Sequence, residues 1–225
     1  MDLLFATTNP GKLRELARLV EGLGIRVLSP GDLGRALPEV EEDGRTFEEN
    51  AAKKAREWAR LARVHALADD SGLCVDALGG EPGVRSARWS DGSEGEPGAG
   101  AAGRASRDER NNDKLLRSLA GVEDARRGAE YRAVLALARP DGTIVASVTG
   151  TCRGRIGRER RGTGGFGYDP LFVPEAELRA GAEHGAAPRT MAELSAAEKD
   201  ALSHRGEAFR KLRPVLEALP GASRP

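Results

Sequence analysis

The sequence predicts an α/β fold built on a mixed, partly antiparallel sheet with flanking helices. Two observations carry this. Short apolar runs of strand length interleave with longer stretches whose apolar residues recur at helical spacing. Residues 131–138 and 143–149 are both β-like, and only Arg139-Pro140-Asp141-Gly142, a hairpin turn signal, lies near their junction. No internal repeat is visible, which excludes a solenoid.

The elements follow in order. Residues 3–6 form a strand ending at Thr7-Thr8-Asn9-Pro10-Gly11, and Leu13, Leu16, Ala17, Leu19 and Val20 then mark a helix. Residues 25–28 form a second strand. Thr46-Phe47-Glu48-Glu49 has capping-box spacing and opens a long helix with Phe47, Ala51, Ala55, Trp58 and Ala62 on one face. Residues 66–68 form a short strand that runs into Asp69-Asp70-Ser71-Gly72 at its end, with 73–75 extended beyond it. The Gly-, Ser- and Glu-rich stretch near 90–106 reads as a flexible insertion. Ser106-Arg107-Asp108-Glu109 is a second capping-box match, opening a helix to about residue 119. Residues 175–188 read as another irregular insertion, and the chain from Ser195 to the C-terminus reads as helical, with Leu202, Phe209, Leu212, Leu216 and Leu219 as its apolar stripe. The expected organisation is a single domain over 1–225.

Composition excludes several functions. Lys and Arg number 35 and Asp and Glu 35, so a basic face for duplex DNA is not expected. Two Trp, two Tyr and five Phe are too few for a broad single-strand stacking platform. Two cysteines and three scattered histidines form no zinc motif. The first residues do not resemble a signal peptide, and no segment approaches the ~20 apolar residues of a membrane span. The expectation is a soluble cytoplasmic protein with no nucleic acid and no membrane partner.

Five segments carry candidate chemistry. Thr7-Thr8-Asn9-Pro10-Gly11-Lys12 links strand to helix, where backbone N–H groups and a lysine suit a phosphate; an ordinary capped turn has the same residues. It is not a Walker loop. Asp69 and Asp70 are adjacent carboxylates, costly without a cation nearby. They suit Mg²⁺, and one could take a proton from water; the alternative is a solvated Asp-Ser-Gly turn. Residues 38–44 are acidic, reading as a solvated loop or a second metal ligand, while Glu49 has its capping role. Lys53 and Lys54 point about 100° apart on the helix, so one at most faces a ligand, and Lys53 can pair with Glu49. Gly162-Thr163-Gly164-Gly165-Phe166-Gly167 matches GxGxxG, but Tyr168-Asp169-Pro170 follows instead of a helix, so a dinucleotide site is rejected. A glycine loop presenting Phe166 and Asp169 to a small ligand remains, beside a bulged turn with core aromatics. In one unbroken helix His204 lies ~140° and Arg205 ~240° from Lys199, so they would not converge. If Ser203 caps a new helix, His204 and Arg205 fall in its first turn, opposing its dipole, which points to an external acceptor held there; the alternative is a plain surface Ser-His-Arg.

As an ordered set, these segments resemble the non-canonical purine nucleoside triphosphate pyrophosphatases, the ITP/XTP pyrophosphatase family. The similar stretches are Thr7 to Lys12, Thr46-Phe47-Glu48-Glu49-Asn50-Ala51, Ala68-Asp69-Asp70-Ser71-Gly72-Leu73, Gly79-Gly80-Glu81-Pro82-Gly83 and Ser86-Ala87-Arg88-Trp89. They continue with Asn111-Asn112 and Lys114-Leu115-Leu116, Gly165 to Pro170, Ala192-Glu193-Leu194, Glu198-Lys199 and Ser203-His204-Arg205. The resemblance implies hydrolysis of ITP, dITP and XTP to monophosphate and pyrophosphate, an elongated mixed α/β fold of two lobes with a central cleft, and a homodimer. It implies Asp70 as general base and Mg²⁺ ligand, with Glu42 as the second acidic metal position. Thr7, Thr8, Asn9, Pro10, Gly11, Lys12, Lys54 and Ser71 would hold the triphosphate. Phe166, Gly167, Tyr168, Asp169, Lys199, His204 and Arg205 would form the base and sugar pocket. The two insertions are longer than the family usually carries, and Asp200 stands where Asn is common. A pyrimidine-directed pyrophosphatase and a non-catalytic nucleotide-binding regulator are the competing readings.

Overall fold

In the computed structural model, which describes residues 1–34, 38, 40–91 and 101–219, the first apolar run forms strand β1 (Asp2–Phe5) and is buried to its end. Helix α1 (Pro10–Leu19) follows directly; the Asn9 side chain accepts from the N–H groups of Gly11 and Lys12, and Pro10 occupies the first turn, where its missing N–H costs nothing. Strands β2 (Arg26–Leu28) and β3 (His65–Val75) both pair parallel with β1. Helix α2 (Phe47–Ala62) starts where expected. Thr46 caps the N–H of Glu49, but the Glu49 carboxylate accepts from the N–H of Arg45 rather than from Thr46.

Among the described residues the sheet has the strand order β2-β1-β3-β4-β5-β6, with β4 (Gly128–Ala138), β5 (Ile144–Ile156) and β6 (Phe172–Pro174). The hairpin is present: Arg139 N–H donates to Thr143 O and Gly142 N–H to Arg139 O, turning β4 into its neighbour β5. β6 adds antiparallel to β5. The fold class is therefore α/β with a mixed sheet.

Several expectations change. Asp69-Asp70-Ser71-Gly72 lies inside β3, not in a turn after it, because the buried carboxylate of Asp69 finds cationic partners there. Helix α3 (Ala101–Ser118) begins five residues before Ser106, since the Ala-rich stretch ahead of it is already helix-forming; the Ser106 hydroxyl instead accepts from Arg110. Residues 92–100 of the expected first insertion lie outside the described residues. Most of the second is helix α4 (Glu175–His184), rich in Ala and Glu and closed by Gly185 at φ 67°. The C-terminal helical stretch is two helices. Helix α5 (Ala196–Leu202) stops at Ser203, which is extended, and α6 (His204–Glu217) starts anew. Residues 220–225 lie outside the described residues.

The chain divides into two compact units. The first holds residues 1–71, 133–150 and 204–225, and the second 72–132 and 151–203. Each has its own core. Leu3, Phe5, Leu16, Leu67, Leu135, Phe209 and Leu212 pack in the first. Leu73, Trp89, Leu115, Tyr131, Phe172 and Met191 pack in the second. No helix among the described residues is long and apolar enough to cross a membrane.

Candidate active site

In the first unit, β3 delivers Asp69 and Asp70. Successive residues of a strand point to opposite faces, so the adjacent carboxylates separate. Asp69 is fully buried. It accepts from the Lys12 ammonium, from Arg205 Nε at 2.7 Å and from Ser71 Oγ at 2.8 Å. Burial alone would raise its pKa; Arg205 and Lys12 outweigh that and hold Asp69 well below the ordinary carboxylate range.

Asp70 has the opposite balance. Burial pushes its pKa up, with Glu42 adding to the rise, against the pull of Lys54 and Lys12. Its Oδ1 lies 3.6 Å from Lys54 Nζ, and its Oδ2 is buried with no hydrogen-bond partner among the described residues. Lys54 is itself buried on α2 and donates to Glu42 Oε1 at 2.7 Å and to the Asp69 carbonyl at 2.8 Å. Burial works against its charge, but Asp70, Glu42 and Asp69 together hold its pKa above the ordinary value. Lys53, one residue earlier, turns outward and pairs with Asp43 at 2.8 Å instead of Glu49. One lysine of the two faces the site, as the helix geometry requires.

Arg205 comes from the first turn of α6, as the reading with Ser203 at a helix start anticipates. The acceptors opposing its dipole penalty are internal: Asp69, Glu15 on α1, and Ser71 Oγ at 3.0 Å. Glu15 was not legible as a site residue, since a glutamate on an amphipathic helix normally reads as solvated; here it is 5% exposed. His204 is buried beside Arg205 on α6.

The charge balance tests whether a metal belongs here. Among the described residues, the four carboxylates of Asp69, Asp70, Glu42 and Glu15 face the three cations of Lys12, Lys54 and Arg205. Asp70 carries the orphaned oxygen, and Glu42 shares Lys54 with it. Among the described residues no three His, Cys, Asp or Glu side chains gather as a ready-made cage. Two carboxylates and retained waters are what a hard divalent cation takes, so the donor set fits one. Glu39 of the acidic segment lies outside the described residues.

The strand-to-helix turn places Thr7 to Lys12 at the N-terminus of α1. The Thr7 hydroxyl accepts from Asn9 N–H at 3.1 Å, Thr8 and Pro10 are exposed, and Gly11 is buried. Lys12 reaches back to Asp69, which ties this turn to β3.

In the second unit, the glycine loop closes on Asp169. The Asp169 carboxylate accepts from Phe166 N–H at 2.9 Å, Lys199 Nζ at 2.6 Å and Tyr131 Oη at 3.3 Å. Gly165 sits at φ 73°, and a Cβ there would lie 2.1 Å from Asp169 Oδ2, so only glycine lets the loop fold over that carboxylate. Lys199 Nζ stands 4.7 Å from the centroid of the half-buried Phe166 ring. Tyr168 is turned inward, donating to Ser86 O at 2.9 Å. Phe166, Asp169 and Lys199 are thus one cluster. Tyr131 belongs to it without any motif to announce it. Burial and then Asp169 push the Tyr131 hydroxyl pKa well up, so it remains a proton donor to that carboxylate.

Known proteins resemble this chain over nearly its whole length. A model of the Ham1 family matches residues 3–215. A protein of Anaeromyxobacter dehalogenans named dITP/XTP pyrophosphatase is 69% identical, with 97% of this chain and 98% of the relative aligned. One of the same name from Streptomyces avermitilis is 46% identical over 97% of this chain and 98% of its own. Among solved structures, a HAM1 protein from Coxiella burnetii has a TM-score of 0.77 at 34% identity, covering 97% of this chain and 100% of that one. A nucleoside-triphosphatase / dITP/XTP pyrophosphatase from Mycobacterium abscessus has a TM-score of 0.67 at 42% identity, covering 95% and 100%.

Proposed function

The chain belongs to the Ham1 family, and from that premise we propose that it hydrolyses non-canonical purine nucleoside triphosphates, dITP, XTP and ITP, to the monophosphate and pyrophosphate. The observation that carries this reading is the buried, orphaned oxygen of Asp70 beside Lys54 and Glu42. Asp70 takes the proton of the attacking water. Water adds to the α-phosphorus, the bond to the bridging oxygen breaks, and pyrophosphate departs.

Lys12 and Lys54 oppose the negative charge of the triphosphate, with Thr7, Thr8, Asn9, Pro10, Gly11 and Ser71 lining its path. Asp69 is assigned to holding Lys12 and Arg205 in place, which its three donors support. Glu42 and Asp70 would hold Mg²⁺, which when bound offsets phosphate charge and stabilises the leaving pyrophosphate. Everything else is positioning and electrostatic stabilisation by the chain's own groups.

Phe166 stacks on the purine, with Gly167, Tyr168, Asp169 and Lys199 shaping that pocket. His204 and Arg205 are assigned to the base and sugar. A 6-oxo purine offers an acceptor to donors at its O6 edge, whereas the amino group of adenine meets donors with a donor. Each such unpaired buried group costs about 1–3 kcal/mol, enough for useful discrimination. We further propose a homodimer working in the cytoplasm without nucleic acid, with sedimentation equilibrium as the check on the dimer.

Product analysis with ITP, XTP, dITP, GTP and ATP, with and without Mg²⁺, tests the reaction. Pyrophosphate from the first three, little from ATP, and none without metal is expected. Phosphate instead of pyrophosphate would overturn the point of attack. Tight binding without product would favour the regulator, and a preference for pyrimidine triphosphates would favour the other enzyme.

A further inference from the structure

Helix α3 grips the glycine loop through residues outside the set assigned to the ligand. Asp108 and Asn112 are four residues apart and so share one helix face. Asp108 Oδ2 accepts from Gly167 N–H at 2.8 Å. Asn112 Nδ2 donates to Gly167 O at 2.9 Å and to the Asp108 main-chain oxygen at 2.9 Å. Both polar groups of Gly167 are therefore held by one turn of helix. Asn112 is 3% exposed, and its Oδ1 is buried with no hydrogen-bond partner among the described residues. A buried amide with an idle acceptor is costly on a helix face that alanine could fill, and its donated bonds are what offset that cost.

The loop needs such a hold. Residues 162–165 are exposed and supply only a threonine side chain, so the loop leans on main-chain hydrogen bonds such as Gly164 N–H to Ala192 O at 3.1 Å. Asp169 secures the loop from within, through Phe166 N–H. Gly167, at φ 63°, is secured where α3 reaches it. We infer that Asp108 and Asn112 are positioning residues for purine selection: they hold Gly167, and through it the Phe166 ring, ready to stack on the base. The inference rests on the reading of Phe166 as the base platform. A platform ordered beforehand loses less freedom on binding, so the effect belongs in affinity for the base and not in the chemical step.

The test compares Asp108→Ala, Asn112→Ser, Asp108→Asn and Phe166→Ala with the unaltered protein. KM and kcat are measured for dITP, and the inhibition constant for 2′-deoxyribose 5-triphosphate, which lacks the base. Asp108→Ala and Asn112→Ser should raise KM for dITP about tenfold, the worth of a lost charge-assisted or buried hydrogen bond, with kcat within about twofold. Their inhibition constants for the base-free compound should not move. Asp108→Asn, whose amide oxygen still accepts from Gly167, should restore most of the affinity. An unchanged KM in both clamp variants while Phe166→Ala raises it would overturn the inference alone. Equal losses for dITP and the base-free compound would reduce the clamp to general structure. A Phe166→Ala protein with normal KM, or no turnover in the unaltered protein, would remove the reading beneath the inference and the inference with it. Should Asp108→Ala fail to fold, Asn112→Ser and Asp108→Asn carry the same comparison.

Discussion

Two adjacent aspartates of β3 have opposite electrostatic fates, and the strand's alternation is the cause. Asp69 meets Lys12 and Arg205, while Asp70 meets a more distant Lys54 and keeps one oxygen idle. Two predictions separate them. Asp70→Asn removes the proton acceptor with little change of shape, so turnover of dITP should fall by about 10²–10⁴-fold while nucleotide still binds. Calorimetric titration alongside the assay checks both halves, and full activity would refute the base assignment. Asp69→Asn should instead cost stability, because it leaves Arg205 with a weakened set of partners in a buried site: about 3–5 kcal/mol in urea unfolding at neutral pH. Asp69 has a depressed folded-state pKa, so the stability it contributes is present above its ordinary value of 3.8 and is lost as pH falls below it. The gap between the two proteins should narrow on acidification below about pH 4; a gap that is constant with pH would place the effect in packing and not in charge. At this scale the residues offered Lys12, the pair Asp69 and Asp70, and one lysine of Lys53 and Lys54; helix geometry limited the lysines to one, and the family resemblance, not geometry, singled out Asp70 and Lys54. Glu15 and Tyr131 escaped both, since their roles depend on partners 190 and 38 residues away.

At the scale of elements, the break at Ser203 matters most. An apolar stripe runs from Leu202 to Leu219, yet Ser203 is extended and α6 restarts with His204 and Arg205 in its first turn. The seat of that turn is Gly150 on β5. A Cβ at Gly150 would lie 2.2 Å from His204 O and 2.3 Å from Ala208 N, both backbone atoms that cannot swing aside. Gly150→Ala should therefore push α6 from the sheet, destabilise the protein by about 1–3 kcal/mol and lower activity by displacing Arg205. Thermal unfolding and a dITP assay on the same sample check it; unchanged values in both would mean that α6 is not seated as described. The hairpin and the starts of α1 and α2 were legible because their turn and cap residues act locally. The starts of α3 and α4 were not. The start of α4 has no side-chain cap for the sequence to reveal, and alanine-rich composition in both stretches promotes helix without periodicity strong enough to separate it from loop.

Taken whole, the chain carries 35 basic and 35 acidic residues, yet its proposed substrate is a polyanion. Recognition must then come from where a few cations sit and not from a field around the molecule. Lys54 is buried, Lys12 is mostly covered, and both already lean on carboxylates, so their attraction for phosphate acts only at contact range. Much of the exposed basic character is also neutralised locally: Arg153 by Asp76, Arg158 by Asp124, Arg160 by Asp113. Added salt shortens the reach of surface charges but screens buried pairs far less. The value of kcat/KM for dITP should therefore fall by no more than about threefold between roughly 0.03 and 0.3 M ionic strength at fixed free Mg²⁺, where an enzyme that steers its substrate loses ten- to a thousandfold. A steep decline would show that substrate is gathered by a long-range field, and the assignment of phosphate recognition to Lys12 and Lys54 would have to give way to a surface patch. A shallow one is what a neutral molecule with its cations held inside by its own carboxylates requires.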